Sequence, residues 1–194
     1  DGIYEKKRFE DNGMVVDEDS YLWGKKAPEP LVVKENDVNF AIYLNDGAMV
    51  GVFLDQKDVR KSLKEKYSKD KTVLNTFSYT GAFSMAAARG GAITTSVDLA
   101  GRSLEKTREN FEINGIDYKK HDIVVEDIFH YFKRAAKENL KFDVVILDPP
   151  SFATSKDNRF SAAKDYSSLV KSAITLTNDE GIIIASTNCA TFNM

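Results

Sequence analysis

The sequence predicts an α/β fold: a parallel sheet with helices on both faces, preceded by a small antiparallel β unit. It rests on three observations. From Thr72 onward, short apolar runs alternate with helical patterns, as strands joined by crossover helices do. The stretch TVLNTFSYTGAF (Thr72–Phe83) reads as a buried strand that passes through a turn into a helix. Upstream, Val38, Phe40, Ile42 and Leu44 alternate with Asn39, Ala41 and Tyr43, which is the two-residue period of a strand.

Taken in order, residues 1–30 are polar and punctuated by Gly2, Gly13, Gly24, Pro28 and Pro30, and read as an irregular arm. LVVKE, VNFAIYL and MVGVFLD then make a small antiparallel unit over residues 31–55, with Asn45–Gly47 (NDG) as a hairpin turn. DVRKSLKEKYSKDK follows as an amphipathic helix, with Val59, Leu63 and Tyr67 on its apolar face and a basic outer face. Strands are expected near Val73–Asn75, Ile93–Val97, Ile123–Val125, Phe142–Leu147 and Ile182–Ser186. Helices are expected near 82–89, 100–113, 129–140 and 162–177, the last with Tyr166, Leu169, Val170, Ala173 and Ile174 on one face. The division is therefore an arm and β unit over 1–56 and an α/β domain over 57–194. The chain stops at Met194, just after the fifth strand of that domain. Doubly wound sheets usually continue, so the sequence is expected to be a fragment, truncated at its C-terminus.

Composition narrows the function. With 194 residues and 42% hydrophobic content, the chain can build one α/β core with an appendage. A net charge of −3 gives no global basic signature, so a nucleic-acid partner must be held by a local patch. Cys189 is the single cysteine, which excludes an internal disulfide and fits a reducing compartment. His121 and His130 have no cysteine near them, so no metal-ligand pattern is visible and no metal is expected. No apolar run approaches a membrane span, and the acidic start is no signal peptide. The expected location is the cytoplasm.

Ligands of open α/β sheets bind at the carboxyl ends of the strands, and four such ends carry distinctive residues. The first is the turn Phe77-Ser78-Tyr79-Thr80-Gly81. Gly81 permits close approach, while Ser78, Thr80 and free backbone N–H groups can meet an anionic group at a helix N-terminus. The second is Asp98, a carboxylate able to accept from ribose hydroxyls or to start a helix. The third is Asp127, able to accept from an adenine amine or to cap a helix. The fourth is Asp148-Pro149-Pro150, a stiff edge for a flat substrate or a strand terminator. A dinucleotide fold would hold three glycines in the first turn; this one holds one. An acidic second strand end with a glycine-poor turn favours a nucleoside without a pyrophosphate, and S-adenosylmethionine fits. An oxidoreductase lacks its GxGxxG here; a non-catalytic binding module would have little use for Asp98, Asp127 and Asp148.

VLNTFSYTGAFSMAAARGGA, SVDLAGRSLEKTRENFEING, DPPSF and GVFLDQKDVR together resemble a family of bacterial S-adenosylmethionine-dependent methyltransferases that modify 23S ribosomal RNA, some at cytosine C5 and some at guanine N7. The resemblance covers about residues 29–194. It implies a class I methyltransferase (Rossmann-like) fold behind a β-hairpin unit. It also implies that the FSYTG turn, Asp98 with Leu99 beside it, and Asp127 line the cofactor site. Gln56 and Arg60 would close over that site, Asp148 would face the methyl group, and Pro149, Pro150, Phe152 and Asn188 would meet the substrate. Many members carry an RNA-binding PUA domain; no segment here reads as one, in keeping with a missing N-terminal part. A homodimer is an admissible assembly.

Guanine N7 has its own lone pair, whereas cytosine C5 must be activated by a thiolate at C6. In ASTNCATF, Cys189 lies just past the fifth strand. Cytosine-C5 members follow a Ser-Cys-Ser pattern whose nucleophile aligns with Asn188, one residue earlier, while guanine-N7 members place asparagines here. Cys189 is therefore either the nucleophile, through a bent loop, or a small buried residue with no role. Phe152 either stacks on a base or packs under the next loop. The basic run from Lys57 to Lys71 reads as a solvated helix face apart from Arg60, and Lys156, Arg159 and Lys164 read as an RNA contact.

Overall fold

The computed structural model describes residues 1–5, 21–46, 49–154 and 159–188. Strands β1 (Gly2–Tyr4) and β2 (Tyr21–Gly24) form an antiparallel pair, and β3 (Leu31–Glu35) and β4 (Val38–Ile42) form another. Helix α1 (Lys57–Ser62) runs into a π-helical stretch over Leu63–Tyr67. Then follow β5 (Thr72–Thr76), α2 (Ala82–Arg89), β6 (Ile93–Asp98), α3 (Gly101–Ile113), β7 (Asp122–Val125), α4 (Ile128–Lys137) and β8 (Phe142–Leu147). A short hairpin of β9 (Phe152–Thr154) and β10 (Arg159–Ser161) leads into α5 (Ala162–Leu176) and β11 (Thr177–Ala185).

Five strands form one parallel sheet in the order β11-β8-β5-β6-β7. The chain enters at β5, winds outward through β6 and β7, and returns to β8 on the other side of β5. The β5–β8 seam is therefore the switch point of the sheet. Neighbouring strand residues serve opposite faces, as the pleat requires. Leu74, Val145 and Leu147 pack with α4 and α5, while Val73, Val144 and Ile146 pack with Leu63, Phe83 and Ala87. Val38 and Phe40 of β4 share a third cluster with Met85 and Phe111, so the β3–β4 hairpin closes over α2 and α3.

Several expectations are corrected. The β3–β4 pair turns at Asn36 and Asp37, both at positive φ (49° and 63°); Leu44 and Asn45 also lie in a turn, with the Asp46 N–H donating to the Tyr43 carbonyl at 3.2 Å, and Gly47 lies outside the described residues. Asn and Asp tolerate the left-handed conformation of a two-residue hairpin turn. MVGVFLD forms no strand: apart from the Tyr43 N–H bond to the Val50 carbonyl at 2.7 Å, its residues are drawn to the FSYTG turn. The arm holds β1 and β2, joined by the edge-on Tyr4–Tyr21 ring pair at 5.6 Å. The π-helical widening turns Tyr67 outward and buries Ser68, whose hydroxyl donates to the Leu63 carbonyl at 2.7 Å. On α5, Ile174 is exposed and Leu176 is buried in its place.

Two asparagines hold the hairpin, Asn110 buried and Asn114 half-buried. The Asn110 amide donates to the Thr80 carbonyl at 2.8 Å and accepts the Ala41 N–H at 2.9 Å. One turn on, Asn114 accepts the Asn39 N–H at 2.8 Å and donates to its carbonyl at 2.7 Å. Asn110→Ala leaves a donor and an acceptor unpaired in a closed interior, at about 1–3 kcal/mol each. We expect a loss of roughly 2–4 kcal/mol in urea unfolding, from the same cause. Gly81 sits at φ 75°, and a Cβ there would lie 2.5 Å from Thr107 Cγ2. Gly81→Ala is expected to cost about 1–3 kcal/mol from the disfavoured backbone and the clash, and Thr107→Ala in the same chain should recover part of it.

Candidate functional site

The carboxyl ends of β5, β6, β7 and β8 open into a cavity of about 510 Å³. After β5 the chain makes a tight, strained turn: Phe77 and Tyr79 lie at φ 50° and Gly81 at φ 75°. Non-glycine residues in this region cost about 1 kcal/mol or more each and persist only where neighbours hold them. Here the Ser78 N–H donates to the Val97 carbonyl at 3.1 Å, and the Tyr79 N–H donates to Asp98 Oδ2 at 2.8 Å. Asp98 Oδ1 accepts the Ala100 N–H at 2.9 Å. The carboxylate thus shapes both the first turn and the start of α3 while it lines the cavity.

Thr80 is buried, and its hydroxyl donates to the Gly51 carbonyl at 2.5 Å. The Tyr79 hydroxyl donates to the Met49 carbonyl at 2.9 Å, and its ring lies 5.8 Å from that of Phe53. Burial and the nearby Asp46 push the Tyr79 phenol up to about 12, so it stays neutral. These bonds draw residues 49–53 across the turn as the outer wall. Ser78 is different: its hydroxyl is buried and has no hydrogen-bond partner among the described residues.

Asp127 caps α4, its Oδ1 accepting the N–H groups of Phe129 and His130 at 3.0 and 3.3 Å, while it also lines the cavity. Phe160 lies 5.8 Å from Phe77 and 5.9 Å from Phe129, and the three rings give the cavity an aromatic floor. Asp148 accepts the Ser186 hydroxyl at 2.5 Å. Burial raises its pKa, Asp55 adds to the rise, and the Ser186 hydrogen bond and Arg60 oppose it. Asn188 Oδ1 accepts the Ser151 hydroxyl at 2.9 Å.

The cavity brings together Gln56, Arg60, Phe77, Ser78, Tyr79, Thr80, Asp98, Leu99, Asp127, Asp148, Pro149, Pro150 and Asn188. Two expected residues stay out of it. Gly81 packs against Thr107. Phe152 is 75% exposed, because the alternation of β9 turns Ala153 inward in its stead. Cys189 and Lys156 lie outside the described residues. Lys57, Lys61 and Lys66 are exposed, as the helix-face reading has it, while Arg60 is buried. Sequence reasoning missed Met49, Gly51, Phe53, Phe129 and Phe160. The aromatic directly after Asp127-Ile128 was a readable signal; Phe160 had none. Among the described residues, no helix is long and apolar enough to cross a membrane.

Comparison with known proteins bears on this cavity. The S-adenosylmethionine-dependent methyltransferase family matches residues 17–193. YwbD of Bacillus subtilis (strain 168), assigned as a ribosomal RNA large subunit methyltransferase, is 56% identical over 193 residues, covering 99% of this chain and 49% of that protein. Ribosomal RNA large subunit methyltransferase K of Neisseria meningitidis serogroup B is 38% identical over 86% of this chain and 48% of its own length. The chain spans about half the length of the curated relatives it matches. Among solved structures, SMU.776, assigned as a methyltransferase and complexed with SAH, superposes with a TM-score of 0.85 at 48% identity, covering 89% of this chain and 45% of that one. A SAM-dependent methyltransferase from Agrobacterium tumefaciens shares the fold at TM-score 0.83 and 22% identity, over 98% of this chain and 60% of that one. A match running over nearly the whole sequence, on a sheet that gathers its acidic strand ends around one cavity, makes this chain a member of the S-adenosylmethionine-dependent methyltransferase family.

Proposed function

We propose that the protein transfers a methyl group from S-adenosylmethionine to a base of ribosomal RNA, with the large-subunit RNA as the substrate. The observation that carries this reading is the cavity at the switch point, polar at its strand ends and aromatic on its floor. Its residues fit the donor. Asp98 has lone pairs to accept ribose hydroxyls, and Asp127 can accept from the adenine amine. Phe129 and Phe160 supply a flat apolar surface for the ring. The unpartnered Ser78 hydroxyl awaits a polar group. When bound, S-adenosylmethionine supplies an electrophilic methyl group on a sulfonium. Asp148 is the acidic residue nearest the proposed transfer, with Pro149, Pro150 and Asn188 walling the substrate side.

The acceptor that fits best is a base nitrogen, which brings its own lone pair. Asn188 lines the cavity and is fixed by Ser151, so an amide occupies the place where a cytosine-C5 enzyme needs a thiolate. Arg159 on β10, next in sequence to the cavity-lining Phe160, and Lys164 in the first turn of α5 are exposed and suit the phosphates of a splayed-out strand. Ribosomal RNA as substrate places the protein in the cytoplasm.

The test is incubation with methyl-labelled donor and unmodified large-subunit RNA. Label is expected in the RNA, and its absence from both free RNA and ribosomal particles would sink the ribosomal reading. Cys189→Ala should retain transfer within about threefold. A loss beyond ~100-fold with donor binding intact would move the acceptor to cytosine C5, where the covalent bond is obligatory.

Asp148→Asn makes a second test. Because burial raises the Asp148 pKa, the folded state holds that proton more tightly than the unfolded state. Its stabilising contribution is complete below the ordinary carboxylate pKa and is lost as pH rises through the raised one. Ionised Asp148 therefore burdens the fold at neutral pH. Asp148→Asn should raise the melting temperature near pH 7, with the difference closing as pH falls below about 4. Transfer should drop by roughly 10²-fold, the scale of losing one aimed electrostatic group.

A further inference from the structure

Arg60 is 2% exposed and lines the cavity. Its Nε and Nη2 donate to Oε1 and Oε2 of Glu35, both at 2.8 Å, and the pair is closed off from solvent, with the two side chains 3% and 9% exposed. Glu35 ends β3 in the hairpin that precedes the α/β domain. The bidentate fork fixes the guanidinium plane. The remaining nitrogen, Nη1, makes no hydrogen bond among the described residues. The guanidinium carbon lies 5.8 Å from the Phe40 ring centre and 5.9 Å from that of Phe83.

Phe83 stands in the first turn of α2, where the leading N–H groups have no intrahelical partner and the helix dipole is positive. The same wall holds the orphaned Ser78 hydroxyl. Arg60, Phe83 in the first turn of α2, and Ser78 all line the cavity, with Ser78 tied to the start of α2 by the Gly81 N–H bond to its carbonyl at 2.8 Å and Asp98 at the end of β6. The Glu35 carboxylate offsets most of the Arg60 charge, and Asp55 and Asp148 line the same space. A pyrophosphate would meet too little positive charge there, whereas the amino-acid end of the donor brings its own ammonium beside a single carboxylate that needs only a few aimed donors.

We propose that Glu35 is a positioning residue for the methyl donor. By occupying two of the three guanidinium nitrogens, it holds Arg60 so that Nη1, with Ser78 and the first turn of α2, receives the carboxylate of the donor's amino-acid end. This rests on the donor-binding reading above. It assigns the hairpin a part in cofactor selection, although Glu35 is absent from the cavity wall.

The test is calorimetric titration of the full chain with S-adenosylmethionine and with decarboxylated S-adenosylmethionine, which keeps the nucleoside, sulfonium and amine and lacks only the carboxylate. The readout is the ratio of the two dissociation constants within each protein, so a reduced folded fraction cancels. Glu35→Gln should lower the preference for the carboxylated donor by about tenfold. Arg60→Lys keeps the charge but replaces the planar two-point fork with a rotatable ammonium, so the donor left over after pairing with Glu35 is no longer held in one direction, and it should do the same. It decides the question if Glu35→Gln does not fold. A structural role for the pair would weaken both ligands in parallel, and an unchanged ratio in the folded variants overturns the inference while leaving the donor reading intact. Failure of the unaltered chain to bind either ligand overturns both.

Discussion

The Asn110 side chain joins parts of the molecule that no strand ladder connects. From the last turn of α3 it holds the backbone edge of β4 with one atom and the carbonyl of the turn after β5 with the other. Buried and paired at both ends, such an amide is stiff, because every alternative leaves polar groups unpaired at low dielectric. Much else follows from it. The hairpin is seated on α2 and α3, Gly51 is brought within reach of Thr80, and residues 49–53 become a wall. At the other end of the hairpin, Glu35 is delivered to Arg60. The cavity therefore owes its shape to two layers: the parallel sheet that aims the strand ends, and a docked hairpin that encloses them.

What was legible in the sequence was whatever depends on local period. The five parallel strands and the helices between them follow from apolar runs and helical spacing, and the acidic residues at the strand ends take their places from topology. What was not legible depends on partners distant in the chain. Nothing near MVGVFLD says that Thr80 and Tyr79 will claim its carbonyls, so alternation alone read it as a strand. Nothing near Val59–Tyr67 says that the helix will widen and turn Tyr67 out. Phe160 reaches the floor only because β9 and β10 fold back over the strand ends. Phe152 is missed by one residue for a local reason, since in a strand adjacent side chains take opposite sides.

The site also departs from what stability alone would select. Two aromatic residues adopt left-handed backbone in the first turn, an acid just past β8 is half-buried with its pKa raised by that burial, and a serine hydroxyl has no hydrogen-bond partner among the described residues. Each is a local conflict inside an otherwise consistent fold, and all of them face the same space. Conflicts of this kind persist where a bound molecule relieves them or uses them.

Asp98 carries a consequence for how such an enzyme can change over evolutionary time. Its carboxylate accepts the amides of Tyr79 and Ala100, so the group that accepts a ribose in the function proposed above is also the clamp on the backbone around it. A mutation that altered nucleoside preference at this position would undo the cradle in the same step, and no intermediate along that route would keep a working pocket. Drift in specificity is channelled instead to residues such as Leu99, half-exposed on the rim, which touch the ligand space without bracing the chain. The methyl-donor habit is thereby insulated from substitution at the position that might otherwise redefine it.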